Sequence, residues 1–335
     1  MSAADVLLMV MVGGLTAYAL LGGADFGGGV WDLLARGPYA GGQRALISSA
    51  LGPVWEANHV WLIFVIVAMF SGFPQAFGVI GSTLELPMAL ALVGIVLRGV
   101  AYVYRAYGAG AAGPDHWWGH VFAVASTVTP FMLGVCGAAM ASGVARPGDA
   151  SAPLTSGFGL VAGAFTVTVT AFLAAVYLCR DAARSAATEH LVEGFRRRAL
   201  GSAVVAGGLA AALLPLLWRD APVVADRFPS RGLPFVAVSA CGGTGALVLV
   251  WLRHFTAARL AAGLAVAGVL WGWAAAQYPD LVVGQIDAAS AAAPTENLRA
   301  MLIAIGSGVA VLIPALVWLF RVFAHPEPAG ADLHH

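Results

Sequence analysis

The sequence predicts an all-α polytopic membrane bundle of about nine transmembrane helices. Three observations carry that reading. The 335-residue chain is 60% hydrophobic and only 10% charged, with a mean hydropathy of +0.85; soluble domains carry about 25% charged residues. Apolar runs near the roughly 20 residues that cross a bilayer recur from end to end. The polar residues inside those runs share helical faces instead of scattering. The formal charge is zero, without a basic stripe, which argues against a nucleic-acid partner.

In chain order the spans read as 6–24 (continuing towards 34), 47–70, 77–103, 118–142, 158–178, 199–218, 234–251, 260–276 and 298–323. The first lacks a basic segment before it and is followed by further spans, so it reads as an anchor and not as a cleaved signal. Residues 1–325 read as one transmembrane domain and 326–335 as a short cytoplasmic tail. Pro53, Pro87, Pro130, Pro215 and Pro314 fall in or near spans, where each removes a backbone donor and can kink its helix. Gly27-Gly28-Gly29, Gly207-Gly208 and Gly242-Gly243 allow close helix contact in lipid.

All 17 basic residues are arginine, and most fall in the loops after the first, third, fifth and seventh spans. Arg146, Arg219, Arg227, Arg231 and Arg299 fall on the other side. The richer side is expected to be cytoplasmic. The N-terminus is then outside and the C-terminus inside. The loop 180–198 is cytoplasmic, with arginines that hold orientation. The longest outer loop, 277–297, is expected to fold back onto the outer face.

In the first span, Tyr18, Gly22, Asp25, Gly29 and Asp32 share one face. Asp32 reads as a solvated helix end. Asp25 is followed by another apolar, glycine-rich stretch, and a desolvated carboxylate can exchange protons near neutral pH. In the second span, GPVWEANHVW at 52–61 places Glu56, Asn58 and His59 at the head of a long apolar run. Ser49, Gly52, Glu56 and His59 form a small, polar stripe that should face protein or water. A carboxylate at membrane depth costs roughly 3 kcal/mol on insertion scales, so it implies a partner or a task. A buried structural ion pair is the plainer account of Glu56; a step in a proton wire with Asp25 is the functional one.

Glu85 is placed inside the third span, eight residues from its outer end, as a structural partner or a functional group. Arg98, Tyr102 and Arg105 line one face near the inner end of that span. Arg98 is deep enough to pair with Asp25 or Glu56, which opposes easy proton uptake. His116 and His120 flank Trp117-Trp118 at the start of the fourth span and read as structural residues of an interfacial belt. Thr166 and Thr170 read as bonding back to helix carbonyls. Cys136, Cys179 and Cys241 have neither metal-ligand nor disulfide spacing and read as small hydrophobes.

GGADFGGGVWD at 22–32, GPVWEANHVW at 52–61, Phe73-Pro74 and LRGVAYVYR at 97–105 occur in an order and spacing that resemble subunit II of cytochrome bd quinol oxidase. That family commonly has Asp where this chain has Glu56, Gly where it has Ala57, and Glu or Gln where it has His59. The resemblance implies two four-helix bundles plus one peripheral helix. It implies a bacterial cytoplasmic-membrane complex that oxidises quinol and reduces dioxygen to water. The partner would be a haem-bearing subunit I in an obligate heterodimer, with small accessory subunits and a structural quinone or lipid as further candidates. Two b-type haems and one d-type haem, or a b-type in its place, would belong to subunit I, with none ligated by this chain. Asp25 and Glu56 would lie on a proton route from the cytoplasm, with Asn58, His59, Glu85 and Arg98 as supporting polar residues. On physics alone, kinked helices with buried carboxylates fit a secondary transporter or ion channel equally well.

Overall fold

The computed structural model describes the backbone of residues 1–107, 115–144 and 148–323, and their side chains except at 51–57, 105–107, 115–116, 312–313, 316–317 and 319–323. The expected tail, 326–335, lies outside these residues.

The chain runs as α1 (Ala3–Leu33), α2 (Ala40–Gly72), α3 (Pro74–Thr83), α4 (Glu85–Tyr107), α5 (Asp115–Ser142), α6 (Ala152–Thr155), α7 (Gly157–Ala182), α8 (Val192–Asp220), α9 (Pro222–Arg227), α10 (Leu233–Trp251) and α11 (Phe255–Gln277). A small antiparallel hairpin, β1 (Asp280–Val282) and β2 (Ile286–Asp287), then α12 (Ala288–Ala291) and α13 (Thr295–Phe323) complete it. Among the described residues seven helices are long and apolar enough to cross a membrane, or eight if the bent pair α2–α3 is one span. The expected count of nine is thus not reached there. The helix α13 occupies the ninth expected run.

The helix α1 is central. It packs against α2, α5 and α7, while α4 packs on α5, α8 on α7 and α10 on α11. The largest apolar core is built mainly from α1, α7, α8, α10 and α11, with residues of α2, α4 and α5 joining it, and Leu173, Val176, Phe195 and Val250 are fully buried in it. Small residues let the helices approach. A Cβ on Gly27 would collide with the Thr170 carbonyl oxygen of α7, so only glycine permits that crossing. Thr166 and Thr170 bond back to the carbonyls of Ala162 and Val167, at 2.9 and 2.8 Å, as expected. A reciprocal capping box starts α1: Ser2 Oγ accepts from the Asp5 amide at 3.1 Å and Asp5 Oδ2 from the Ser2 amide at 2.7 Å.

The third expected span, 77–103, is two helices. Pro87 has no amide to give the Thr83 carbonyl, and its ring crowds that carbonyl. The helix therefore breaks at Leu84. Just before the break, the Ser82 and Thr83 hydroxyls donate to the Val79 carbonyl. At the other end, Pro74 starts α3 after a 116° bend from α2. The loop 277–297 does fold back onto the helix ends. The Val283 amide donates to the Met140 carbonyl at 3.0 Å, and the Ala293 amide to Gly72 at 2.8 Å.

Gly27→Val is expected to lower stability by about 1–3 kcal/mol, the usual cost of overpacking. Gly13→Ala, where nothing lies within 4 Å of the new Cβ, is expected to be neutral or slightly stabilising. Thermal unfolding of the detergent-solubilised variants checks the contrast.

Candidate functional site

An apolar interior tolerates a charge only if another group answers it. Asp25 of α1 is 0% exposed and Arg98 of α4 is 1% exposed. Arg98 Nη2 donates to Asp25 Oδ1 in a close ion pair. Arg98 Nε donates to Ser126 Oγ of α5 at 3.0 Å. The guanidinium also sits over the rings of Phe26 and Phe122, at 4.8 and 5.1 Å from their centroids, which adds cation–π attraction. One arginine thus links α1, α4 and α5.

From α2, the buried Asn58 side chain lies beside the Asp25 carboxylate. It reaches α1 because position 22 is glycine: a Cβ there would lie 2.9 Å from Asn58 Nδ2. His59 is half-buried and within electrostatic reach of Asp25. Among the described residues Asp25 Oδ2, Asn58 Oδ1 and the Tyr18 hydroxyl are buried without a hydrogen-bond partner. Asp25 Oδ2 and Asn58 Oδ1 can each accept a further hydrogen bond and the Tyr18 hydroxyl can donate one, whereas the paired oxygen is held by Arg98.

The structure therefore brings Asp25, Arg98 and Asn58 together, with His59 beside them. The Glu56 side chain lies outside the described residues, although its backbone belongs to α2. Glu85 does not join them. It is exposed and opens α4 instead of lying inside a span, because the break at Leu84 makes it a first-turn acid, where the helix dipole favours it. Asp32 is also corrected. It is 3% exposed, not solvated, and faces Arg44 at 3.9 Å. Ser49 is exposed at the far end of its stripe. His120 is exposed, and the His116 side chain lies outside the described residues. Sequence reasoning missed Ser126, Phe26 and Phe122. The polar run Ser126, Thr127 and Thr129 within an apolar span was the available signal for the first; nothing marked the two rings.

Among the described residues no three His, Cys, Asp or Glu side chains gather as metal ligands do. The family model for cytochrome bd terminal oxidase subunit II matches residues 3–323. The chain belongs to that family. A subunit 2 of cytochrome bd ubiquinol oxidase from Bacillus subtilis (strain 168) is 33% identical over 98 residues, covering 28% of this chain and 27% of that one. The cytochrome bd-I ubiquinol oxidase subunit 2 of Escherichia coli (strain K12) is 28% identical over 175 residues, covering 49% and 45%. The matched stretches thus span less than half the length of these curated relatives. In fold, this subunit II family member is similar to a chain of the bd oxidase from Geobacillus thermodenitrificans, with a TM-score of 0.74 and 21% identity. That likeness covers 96% of this chain and 99% of the other.

Removing one partner of a buried pair costs about 3–5 kcal/mol, because the other charge is stranded. Arg98→Leu and Asp25→Leu are each expected to destabilise the protein by that order. The double variant is expected to recover much of the loss. Thermal unfolding of all four proteins in a double-mutant cycle checks it; additive effects would mean that the two residues act separately.

Proposed function

We propose that this chain is the non-haem second subunit of a cytochrome bd-type quinol oxidase, in which quinol is oxidised and dioxygen reduced to water. The observation that carries this reading is the family match along residues 3–323. The mutual coverage of the related fold supports it. The haems belong to a subunit I partner, which supplies the redox chemistry. The present chain contributes scaffold, a large part of the subunit interface, and polar groups for proton movement. Exposed apolar side chains on α2 and α4, among them Ile63, Phe70, Leu92 and Val96, face that partner or lipid. A structural quinone or lipid and small accessory subunits complete the assembly.

Reduction of dioxygen to water consumes protons as well as electrons, so an oxygen site enclosed in the membrane needs a proton route. We assign Asp25 and Glu56 to it, entering from the cytoplasm. The Arg98 contact sets how Asp25 takes part. One oxygen is held by Arg98, and Oδ2, which has no hydrogen-bond partner among the described residues, is the one left to exchange. Glu56 is then the mobile carrier, with Asn58 and His59 as its polar surroundings; Glu85 is left outside the route. The orientation follows from the arginines, with the N-terminus outside and the C-terminus in the cytoplasm of a bacterial cell. Reporter fusions at Arg197 are expected to read cytoplasmic and fusions at Arg227 external; the reverse overturns the orientation.

Glu56→Gln keeps shape and hydrogen bonding but cannot carry a proton. It is expected to slow oxygen consumption by about a hundredfold or more, the lower reach of a lost proton-transfer step, while haem content per complex stays normal. Glu56→Asp is expected to retain much of the activity. Asp25→Asn strands Arg98 and is expected to lose assembly together with activity. Oxygen uptake by haem-normalised membranes separates these outcomes. Full activity in a normally assembled Glu56→Gln complex removes Glu56 from the route.

A further inference from the structure

Arginines gather at the end of α7 and around the start of α11. They border an open cavity of about 610 Å³, between the end of α7 and the start of α11. Arg180, Arg184, Arg253 and His254 line it, together with the first turn of α11. Among the described residues Arg180 and Arg184 have no ion-pair partner. Arg253 shares Glu193 with Arg196 and Arg197, at 3.2, 3.2 and 3.3 Å, so one carboxylate serves three guanidiniums. Asp181 is not among the lining residues.

Two backbone features add to the positive charge. The His254 side chain does not cap α11, so the first amides of that 23-residue helix meet the cavity with their share of the helix dipole. Arg253 holds a left-handed backbone, φ 62°, at a position after α10 where glycine is the usual choice. Its side chain is among those that line the cavity.

The cavity continues into an apolar surface. Thr256 lines it, and Leu260 and Leu264 follow on the same face of α11, four and eight residues on. Both leucines are more than half exposed, at 72% and 57%. A basic pocket at the end of membrane-spanning helices, above an exposed apolar stripe, matches a molecule with a phosphate head and acyl tails. We propose that this cavity binds the phosphate group of an anionic phospholipid, with an acyl chain along Leu260 and Leu264. A free phosphate would use the same guanidiniums and amides but has no use for the leucines.

Native mass spectrometry of the full-length chain, extracted with any bound partner and titrated with phosphatidylglycerol, tests this. The parent is expected to retain phosphatidylglycerol in preference to phosphatidylcholine. Arg180→Gln/Arg184→Gln is expected to weaken phosphatidylglycerol retention on the order of thirtyfold, from the usual contribution of two arginines at an anionic surface. Arg180→Lys/Arg184→Lys and the control Arg197→Gln are expected to retain it. Millimolar inorganic phosphate is expected to leave it bound. Equal retention in the Gln pair overturns the proposal. Displacement by inorganic phosphate also overturns it, since the occupant is then a free anion. So does loss of the folded chain in the Gln pair, since arginines that serve a headgroup are not needed for folding.

Discussion

The Asp25–Arg98 pair is the constraint on which the centre of this bundle depends. Bringing a carboxylate and a guanidinium to near-zero exposure costs several kcal/mol per ion, and their mutual attraction offsets that only in a fixed geometry. Ser126, Phe26, Phe122 and Asn58 supply it. Each comes from a helix that must then sit at one distance and one rotation. The pair contributes less to net stability than to register: α1, α4 and α5 cannot slide without leaving a charge unanswered.

Glycine makes that geometry reachable. The close approach of Ser126 to α1 at Gly29, and of Asn58 to α1 at Gly22, helps bring polar side chains from four helices into one small volume. In lipid the hydrophobic effect does not draw helices together, so contact distance and polar bonds decide the association. The second oxygen of Asp25 stays buried without a hydrogen-bond partner among the described residues, and that asymmetry is what the proposed proton role needs. A carboxylate bonded on both oxygens would be a rivet only.

Much of this was legible in the sequence. Spans follow from apolar length, and the seam of Tyr18, Gly22, Asp25 and Asp32 follows from helical spacing. The depth of Arg98 in its span pointed to a carboxylate partner, and Asp25 is the one that it meets. Other features were hidden because they depend on where chains break and what packs from elsewhere. Pro87 looked like a kink within a span; the lost bond to Thr83 ends a helix there and moves Glu85 to a helix start. Asp32 looked solvated because its burial comes from neighbouring elements that local sequence does not name. The aromatic rings around Arg98 carry no signal in a chain with 16 phenylalanines.

The central claim is that this bundle serves a haem-bearing partner and does not work alone. Affinity purification of the tagged full-length chain from its native membrane, in mild detergent, tests it through the visible spectrum. The account predicts a stoichiometric second membrane subunit, a haem Soret band, and quinol-dependent oxygen uptake in the purified material. A colourless, monodisperse chain without a partner, moving ions across liposomes, would contradict it.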